Sequence, residues 1–551
     1  LHAPDNSAVL IELATARLMI DRRMARIGSP QGCGGQGRQT PCRQEAAGMT
    51  DRTDDAAGRS GRSGDDSQRR LLSELFPAAR FYACNDIGFV RVTDRPEACR
   101  PGDLFVARCG DEEDGHEQIA IAIAQGAGGI VAERMVPTAG VPLCVVPDTA
   151  WAWARLAHAV DGLQGTRLRV IAITGTSGKT STAWLTASML SEAGLRVGVI
   201  SDLGCVDATT SEPRAVPIND ARQLAIWLRR IEQSGCSHAV VEVSSRLLAA
   251  HALAGVSCDT VAVTNLGRAH LELHGTAAAY HAVKNRILAA VAPEGCLVAN
   301  VDDPLVDRMV RRFQQQHPTS GLFTAGLRTE ATVTASPVER SLHGQTLLLR
   351  CDGVVMPVSF DVPVTHTARN AVLAAAIATR YRVPAERIAR GLETTGSIAG
   401  RIRRLDRGQD FAAFVDRPTT GHSLARTLAS LRQLTPGRLV VLVEEALAER
   451  LGGRDRFSSR AARWCDASQV VPRGIASEQA SSRDLAAYAR LDRQLSRLGT
   501  GDCLLVLGRV PNLSPQPVDP DDTFMPLEAV VNGWLELAQD PAAGWTDRRV
   551  A

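Results

Sequence analysis

At 551 residues the chain is long enough for about three or four domains. A hydrophobic share of 44% beside 22% charged residues is ordinary for a globular protein, and a net charge of +2 gives no reason to invoke nucleic acid or an anionic membrane as the main partner. No apolar run reaches the roughly 18 residues a membrane-spanning helix needs, and the 13 cysteines are scattered without C-x-x-C pairs, as expected for reduced thiols of a cytoplasmic protein.

Residues 28–70 are rich in Gly, Arg, Gln, Asp and Ser and nearly free of aromatic or β-branched side chains. Such a segment cannot offset its chain entropy, so residues 1–70 are expected to be disordered. The chain begins with Leu1, and Met49-Thr50-Asp51 reads as a candidate true start, which would make residues 1–48 an artefact of gene calling. Arg22-Arg23 makes no targeting signal, because no clean apolar core follows it.

Order is expected from Leu71. Residues 71–160 alternate short apolar strands (103–107, 129–132, 142–146) with an Ala/Ile-rich helix at 117–127, a small α/β domain. In residues 161–396 strands at 170–173, 197–201, 238–243 and 260–265 are separated by helical patterns, which implies a parallel sheet covered on both faces. A third α/β block, 397–551, has strands at 411–415, 438–443 and 503–507, a helix at 420–433, and a last helix around 525–538. The fold class is α/β throughout, without internal repeats.

The most informative stretch is 168–182. The strand Val170–Ile173 runs into a Gly-rich turn, Thr174 to Gly178, and Lys179-Thr180 opens a helix ended by Gly194. A strand–loop–helix unit offers backbone N–H groups and a helix N-terminus to an anion. Lys179 would reach the β/γ-phosphates and Thr180 would ligate Mg²⁺, with Gly175, Thr176, Ser177, Gly178 and Ser181 completing the cradle. The usual pattern wants glycine where Ile173 stands, so the loop is a variant.

Downstream, Glu242 closes an apolar strand at the sheet edge where ligands bind. It is a natural second Mg²⁺ contact or, alternatively, a capping residue. His270 and His274 are four apart and could share a helix face, but no third ligand supports zinc. Lys284 on the next helix is by default a solvated residue.

Taken together, T-G-T-S-G-K-T-S-T (174–182), E-V-S-S (242–245), T-N-L-x-R-x-H-L-x-x-H-G-T (264–276), Y-x-x-x-K (280–284) and N-V-D-D-P (300–304) resemble the Mur ligases. Their order and spacing are most similar to the branch that adds the third residue of the peptidoglycan stem peptide. Residues 93–107 followed by Asp114-Gly-His116 resemble that family's uridine-binding domain, and Arg401 and Asp416 resemble the start of its Rossmann-like C-terminal domain.

The resemblance implies a three-domain, ATP-dependent acid–amino acid ligase of peptidoglycan precursor and cell-wall synthesis. It would act as a monomer on small-molecule substrates, a UDP-muramoyl peptide and an amino acid, through an acyl phosphate. It further implies that His270 binds a second Mg²⁺ and that Lys284 is carbamylated to N6-carboxylysine. Asn300 would contact adenine, Arg401 the phosphates and Asp416 the ribose, while Thr93, Asp94, Arg95 and Ser244 would hold substrate.

Departures from the family pattern cluster on substrate recognition. The paired threonines that grip the muramoyl peptide give way to Pro217-Ile218-Asn219, and Arg246, Ala250 and Ala252 replace the His, Gln and Arg expected after E-V-S-S. Ala269 replaces the Asp before the metal-binding His, and D-Y-A-H becomes Asp416-Arg417-Pro418-Thr419. The later G-G-D-R-D-x-G-K-R, D-N-P-R and G-K-G-H-E strings survive only as fragments at 452–456, 471–474 and 507–510. Two expectations follow: a working ligase with altered substrates, or a weak or inactive nucleotide-binding paralogue with a regulatory or scaffolding role. Folylpolyglutamate synthetases share the central logic but lack a domain like 75–150.

Overall fold

The computed structural model describes residues 69–110, 114–165, 167–209, 218–395, 398, 400–472, 482–508 and 527–538. The disorder expected for residues 1–70 falls outside this set, except at Arg69 and Arg70. So do Pro217, Arg473-Gly474 and Arg509-Val510 of the departing motifs.

Among the described residues three larger sheets organise the fold, beside a two-stranded pair of Arg70–Leu71 with Gly88–Phe89. The first has five strands in the order 80–82, 143–145, 129–132, 104–106, 92–93, parallel except for the outer strand Arg80–Tyr82. The Ala/Ile-rich stretch beside it opens as a 3₁₀ turn, Gly115–Gln118, before the α-helix Ile119–Ala124.

The second sheet has ten strands, with Arg169–Thr174 paired in parallel to His238–Glu242 on one side and Cys258–Val263 on the other. Side chains alternate between its two faces, and both faces are apolar. Val170, Ala172, Ala239 and Val261 pack under helices Ala221–Gln233 and Pro304–Gln316, while Ile171, Ile173, Val240 and Ala262 pack under Lys179–Glu192, Thr365–Arg380 and Ala385–Thr394. That two-sided burial is why these strands read as continuous apolar runs.

The expected strand–helix alternation fails in two places. Val197–Ser201 turns straight back into the antiparallel strand Gly204–Val206. Residues 333–360 form an antiparallel meander, Val333–Ser341, Gly344–Cys351 and Val354–Phe360, where no strand was expected. One side of that meander is wet, so its apolar residues alternate with polar ones and give no continuous run.

The third sheet, in the order 403–405, 412–416, 503–507, 439–444, 467–471, is parallel apart from its first strand. Helix Gly421–Leu434 follows the strand Ala412–Asp416 and is closed at its start by a capping box between Thr420 and Ser423. Among the described residues no helix is long and apolar enough to cross a membrane.

Candidate functional site

The Gly-rich loop sits at the carboxyl end of the ten-stranded sheet. Ile173 is still inside the ladder, paired with Glu242 and Ala262, so the turn opens only at Gly175. This is the physical reason the usual glycine is missing: a residue in a buried central strand needs a side chain, not conformational freedom. Gly175 and Gly178 have φ of +149° and +84°, and a Cβ would strike the Thr264 hydroxyl at Gly175 and the Asn370 carboxamide at Gly178. The loop rests on the segment 264–267. Thr176 N–H donates to Asn265 O at 2.9 Å, Ser177 N–H to Asn265 Oδ1 at 3.1 Å, and Thr264 Oγ1 to Ser177 O at 2.7 Å. Gly267 N–H and the Tyr280 hydroxyl both donate to Thr176 Oγ1, at 2.8 and 3.1 Å. Ser181 lies in the first turn of the helix Lys179–Glu192.

Charged groups converge beside the loop. Thr180 Oγ1 donates to Glu242 Oε2 at 2.8 Å, and Asp202 N–H donates to the same oxygen at 3.2 Å. Glu242 Oε1 is buried without a hydrogen bond, 3.7 Å from Lys179 Nζ. Burial, then the Asp202 charge, pushes the Glu242 carboxyl up, against the pull of Lys179, Arg401 and the Thr180 bond. Arg401 reaches in from the third block, with Nη2 donating to Thr180 Oγ1 at 2.5 Å.

Lys284 corrects the expectation of a solvated residue: it is 1% exposed. Its helix, Ala277–Asn285, lies against the loop, and Nζ donates to Thr174 Oγ1 at 2.9 Å, which in turn donates to Val243 O at 2.7 Å. Burial, then repulsion from Lys179, holds its amine well below the ordinary lysine range, with Glu242 and Asp202 opposing. The shift favours the neutral, nucleophilic form of the amine.

His270 and His274 do not share a helix face. The short helix runs Leu271–His274, and His270 precedes it in the left-handed region at φ 52°. Both rings nonetheless border Tyr280, at centroid distances of 6.3 and 5.4 Å. His270 is lowered by burial and by Lys179 and Lys284, with Glu272 3.4 Å from Nδ1 opposing.

Behind the loop lies a small pocket lined by Ser177 and Gly178, Asn300, Asn370, Arg369 and Arg426, among others. Asn300 has both ends of its amide engaged inside the protein: Nδ2 donates to Thr264 O at 2.8 Å and Oδ1 accepts from Asp302 N–H at 3.2 Å. Asn370, missed in the sequence, is the carboxamide held against Gly178. Its only sequence signal is a polar residue inside an Ala-rich helix. His366, also on this wall, is driven down to about 3 by burial and by Arg426 and Arg369. Asp416 ends its strand nearby, where Oδ2 accepts from Thr427 Oγ1 at 3.1 Å and burial pushes its carboxyl up to about 6.

Thr93 ends the edge strand Val92–Thr93 of the first sheet and Asp94 and Arg95 follow it, far along the chain from the loop. Thr93 Oγ1 accepts from Arg95 N–H at 3.1 Å, and Asp94 pairs with Arg108 at 2.6 Å. Ser244 caps the helix Ser245–Ala249 through Leu247 N–H. Among the described residues one metal-like cluster occurs, Cys109, Asp114 and His116. Its His116 Nε2 accepts from Glu133 N–H at 3.0 Å, which puts the ring proton on Nδ1, facing Asp114 Oδ1 at 2.6 Å. That tautomer, assigned from its partners, leaves the His116 ring no lone pair to offer a metal inside the cluster.

Of the departing positions, Ala252 and Ala269 are buried, Ala252 O being hydrogen-bonded by His158 Nε2 at 2.8 Å. Arg454, in the fragmentary segment 452–456, pairs with Glu445 and Glu449.

Comparison with known proteins places this geometry. The Mur ligase middle domain family matches residues 173–378. The chain is 32% identical over 387 residues to the UDP-N-acetylmuramoyl-L-alanyl-D-glutamate–2,6-diaminopimelate ligase of Bacillus licheniformis, covering 68% of this chain and 77% of that protein. It is 31% identical over 391 residues to the UDP-N-acetylmuramyl-tripeptide synthetase of Roseiflexus sp., covering 67% and 75%. In fold it is similar to a solved UDP-N-acetylmuramoyl-L-alanyl-D-glutamate–2,6-diaminopimelate ligase, with a TM-score of 0.59 at 20% identity over 76% of this chain and 89% of that one.

Proposed function

The chain belongs to the Mur ligase family, and from that premise we propose that it is an ATP-dependent ligase joining an amino acid to a UDP-muramoyl peptide in peptidoglycan precursor synthesis. The observation that carries the reading is the convergence of Lys179, Thr180, Glu242 and Lys284 at one sheet edge. In this reading residues 71–160 bind the uridine nucleotide through Thr93, Asp94 and Arg95. Residues 161–396 hold ATP, with Ser244 touching substrate, and residues 397–551 close over it.

The residues fit Mg²⁺. Glu242 Oε1 is a buried carboxylate oxygen with no hydrogen bond, and Thr180 adds a hydroxyl oxygen, the hard donors that ion takes. Thr180 and Glu242 would hold it and His270 a second such ion, and the bound ions would supply neutralisation of charge on the transferring phosphoryl group. Lys284 is buried with its amine lowered toward the neutral form; that form adds CO₂ by its nitrogen lone pair with loss of a proton, which converts it to a carboxylate-like ligand.

The loop amides and Lys179 hold the β/γ-phosphates in line with the substrate carboxylate. A carboxylate oxygen bonds to the γ-phosphorus as the bond to the bridging oxygen of ADP breaks. The amine nitrogen then bonds to the acyl carbon, phosphate leaves, and the nitrogen loses its proton. Asn370 and Asn300 border the base, Arg401 the phosphates and Asp416 the ribose.

The test is phosphate release from the full chain with ATP, Mg²⁺, UDP-muramoyl dipeptide and a panel of amino acids. Release is expected only when both co-substrates are present. No amine-dependent release across the panel would leave the inactive nucleotide-binding paralogue in its place.

A further inference from the structure

Arg401 stands where the third block meets the loop, and its guanidinium bridges the two. Nη1 donates to Gly400 O at 3.0 Å and to Arg417 O at 3.5 Å, both within the third block. Nη2 donates across to Thr180 Oγ1 at 2.5 Å and lies 4.0 Å from Asp202 Oδ2. The Thr180 proton is already given to Glu242 Oε2, so its oxygen offers only lone pairs.

A guanidinium in contact with that oxygen and a divalent ion about 2.1 Å from it would be two cations at contact distance. We propose that Arg401 competes with the metal ion for Thr180 in the nucleotide-free protein and thereby latches the third block against the phosphate loop. Loading metal and nucleotide then moves the guanidinium off Thr180 and onto the phosphates, so the same side chain holds the block in both states. The proposal rests on the reading of Thr180 as a metal ligand.

Mn²⁺, followed by the magnetic resonance signal of the free ion, tests the competition on the full chain without nucleotide. Arg401→Ala is expected to bind Mn²⁺ about tenfold more tightly than the parent, the worth of one charge-assisted hydrogen bond given up by the ion's competitor. Thr180→Ala is expected to bind it more weakly. Backbone hydrogen exchange over 178–182 and 403–405 is expected to quicken in Arg401→Ala. It should also quicken in Arg401→Lys, which keeps the charge but loses the two-armed bridge.

Mn²⁺ binding in Arg401→Ala equal to or weaker than the parent's, with Thr180→Ala weakened, overturns the competition while leaving the metal ligand standing. Unchanged exchange in both arginine variants overturns the latch. Unchanged Mn²⁺ binding in Thr180→Ala removes the metal reading itself and the proposal with it.

Discussion

The two ends of the ten-stranded sheet each carry a buried polar cluster, and they differ in how completely each is matched. At the amino end Tyr381 OH lies 2.5 Å from Asp259 Oδ2 and 2.9 Å from Thr260 Oγ1, with the Arg380 guanidinium near the same carboxylate and the same ring. His238 meets the Tyr381 ring edge-on and accepts from or donates to Ser237 through Nδ1. Apart from His238 Nε2, this cluster consumes its own polarity. At the carboxyl end Glu242 keeps an oxygen without a hydrogen bond, Lys284 has one partner, and Lys179 faces Glu242 at 3.7 Å. A self-satisfied cluster holds a fold together, whereas groups left short of partners are arranged for something that arrives later.

The largest effect expected from this contrast is at Lys179. Lys179→Ala should lower phosphate release by on the order of 10²–10³-fold with little change in melting temperature, and unchanged ATP affinity in that variant would break the contrast at its centre. Lys284→Ala should cost roughly 10–100-fold in activity, as loss of a metal-orienting group does, with partial rescue by small added carboxylates.

Stability should move the other way at Lys284. Its amine is lowered in the folded state, so the unfolded chain binds that proton more tightly, and the penalty is full below the folded-state value and fades as pH rises from there toward the ordinary value of 10.5. Lys284→Met is therefore expected to melt higher than the parent at pH 7, with the gap closing toward pH 10.

Asn370→Ala should raise KM for ATP about tenfold, one lost hydrogen bond to the base. Asn300→Ala should instead lower stability by about 1–3 kcal/mol, because Thr264 O and Asp302 N–H lose partners. A large KM effect at Asn300 without destabilisation would reverse that assignment.

At the amino end, Tyr381→Phe should cost about 1–2 kcal/mol of stability and leave kcat untouched. Asp416→Asn should act on stability through pH. The parent's carboxyl is raised from 3.8 to about 6, so the stability tied to its protonated form is present below pH 3.8 and lost as pH rises through 6. The asparagine variant should match the parent near pH 4 and melt higher at pH 7.5, by roughly 3 kcal/mol at most.

Much of this site was legible because its groups are close in sequence to strand ends that are themselves legible. Ile173, Glu242 and Val263 close continuous apolar runs, so the positions of Thr174, Glu242 and Thr264 at one edge followed directly. Lys284 was illegible as a buried residue. Its helix has an Ala-rich face with no strong stripe, and only the tertiary contact with Thr174, 110 residues away, removes it from water. The αL turn at His270 hid for the opposite reason: four-residue spacing mimics a helix that begins one residue later. Asn370 and Arg426 reach the pocket from helices whose buried faces are mostly apolar, and nothing local marks their direction.

The pairing of the loop strand also dictates when the site can exist during folding. Thr174 reaches Val243 across 69 residues of chain and Ser177 is reached by Thr264 across 87. The meander at 333–360, by contrast, joins neighbours through tight turns at Ser341–Gly344 and Cys351–Val354. Because distant pairings carry the greater closure entropy, the meander can form early and the phosphate loop acquires its floor late. A nascent chain ending before residue 258 has the Gly-rich sequence but neither Thr264 nor Asn265 to shape it.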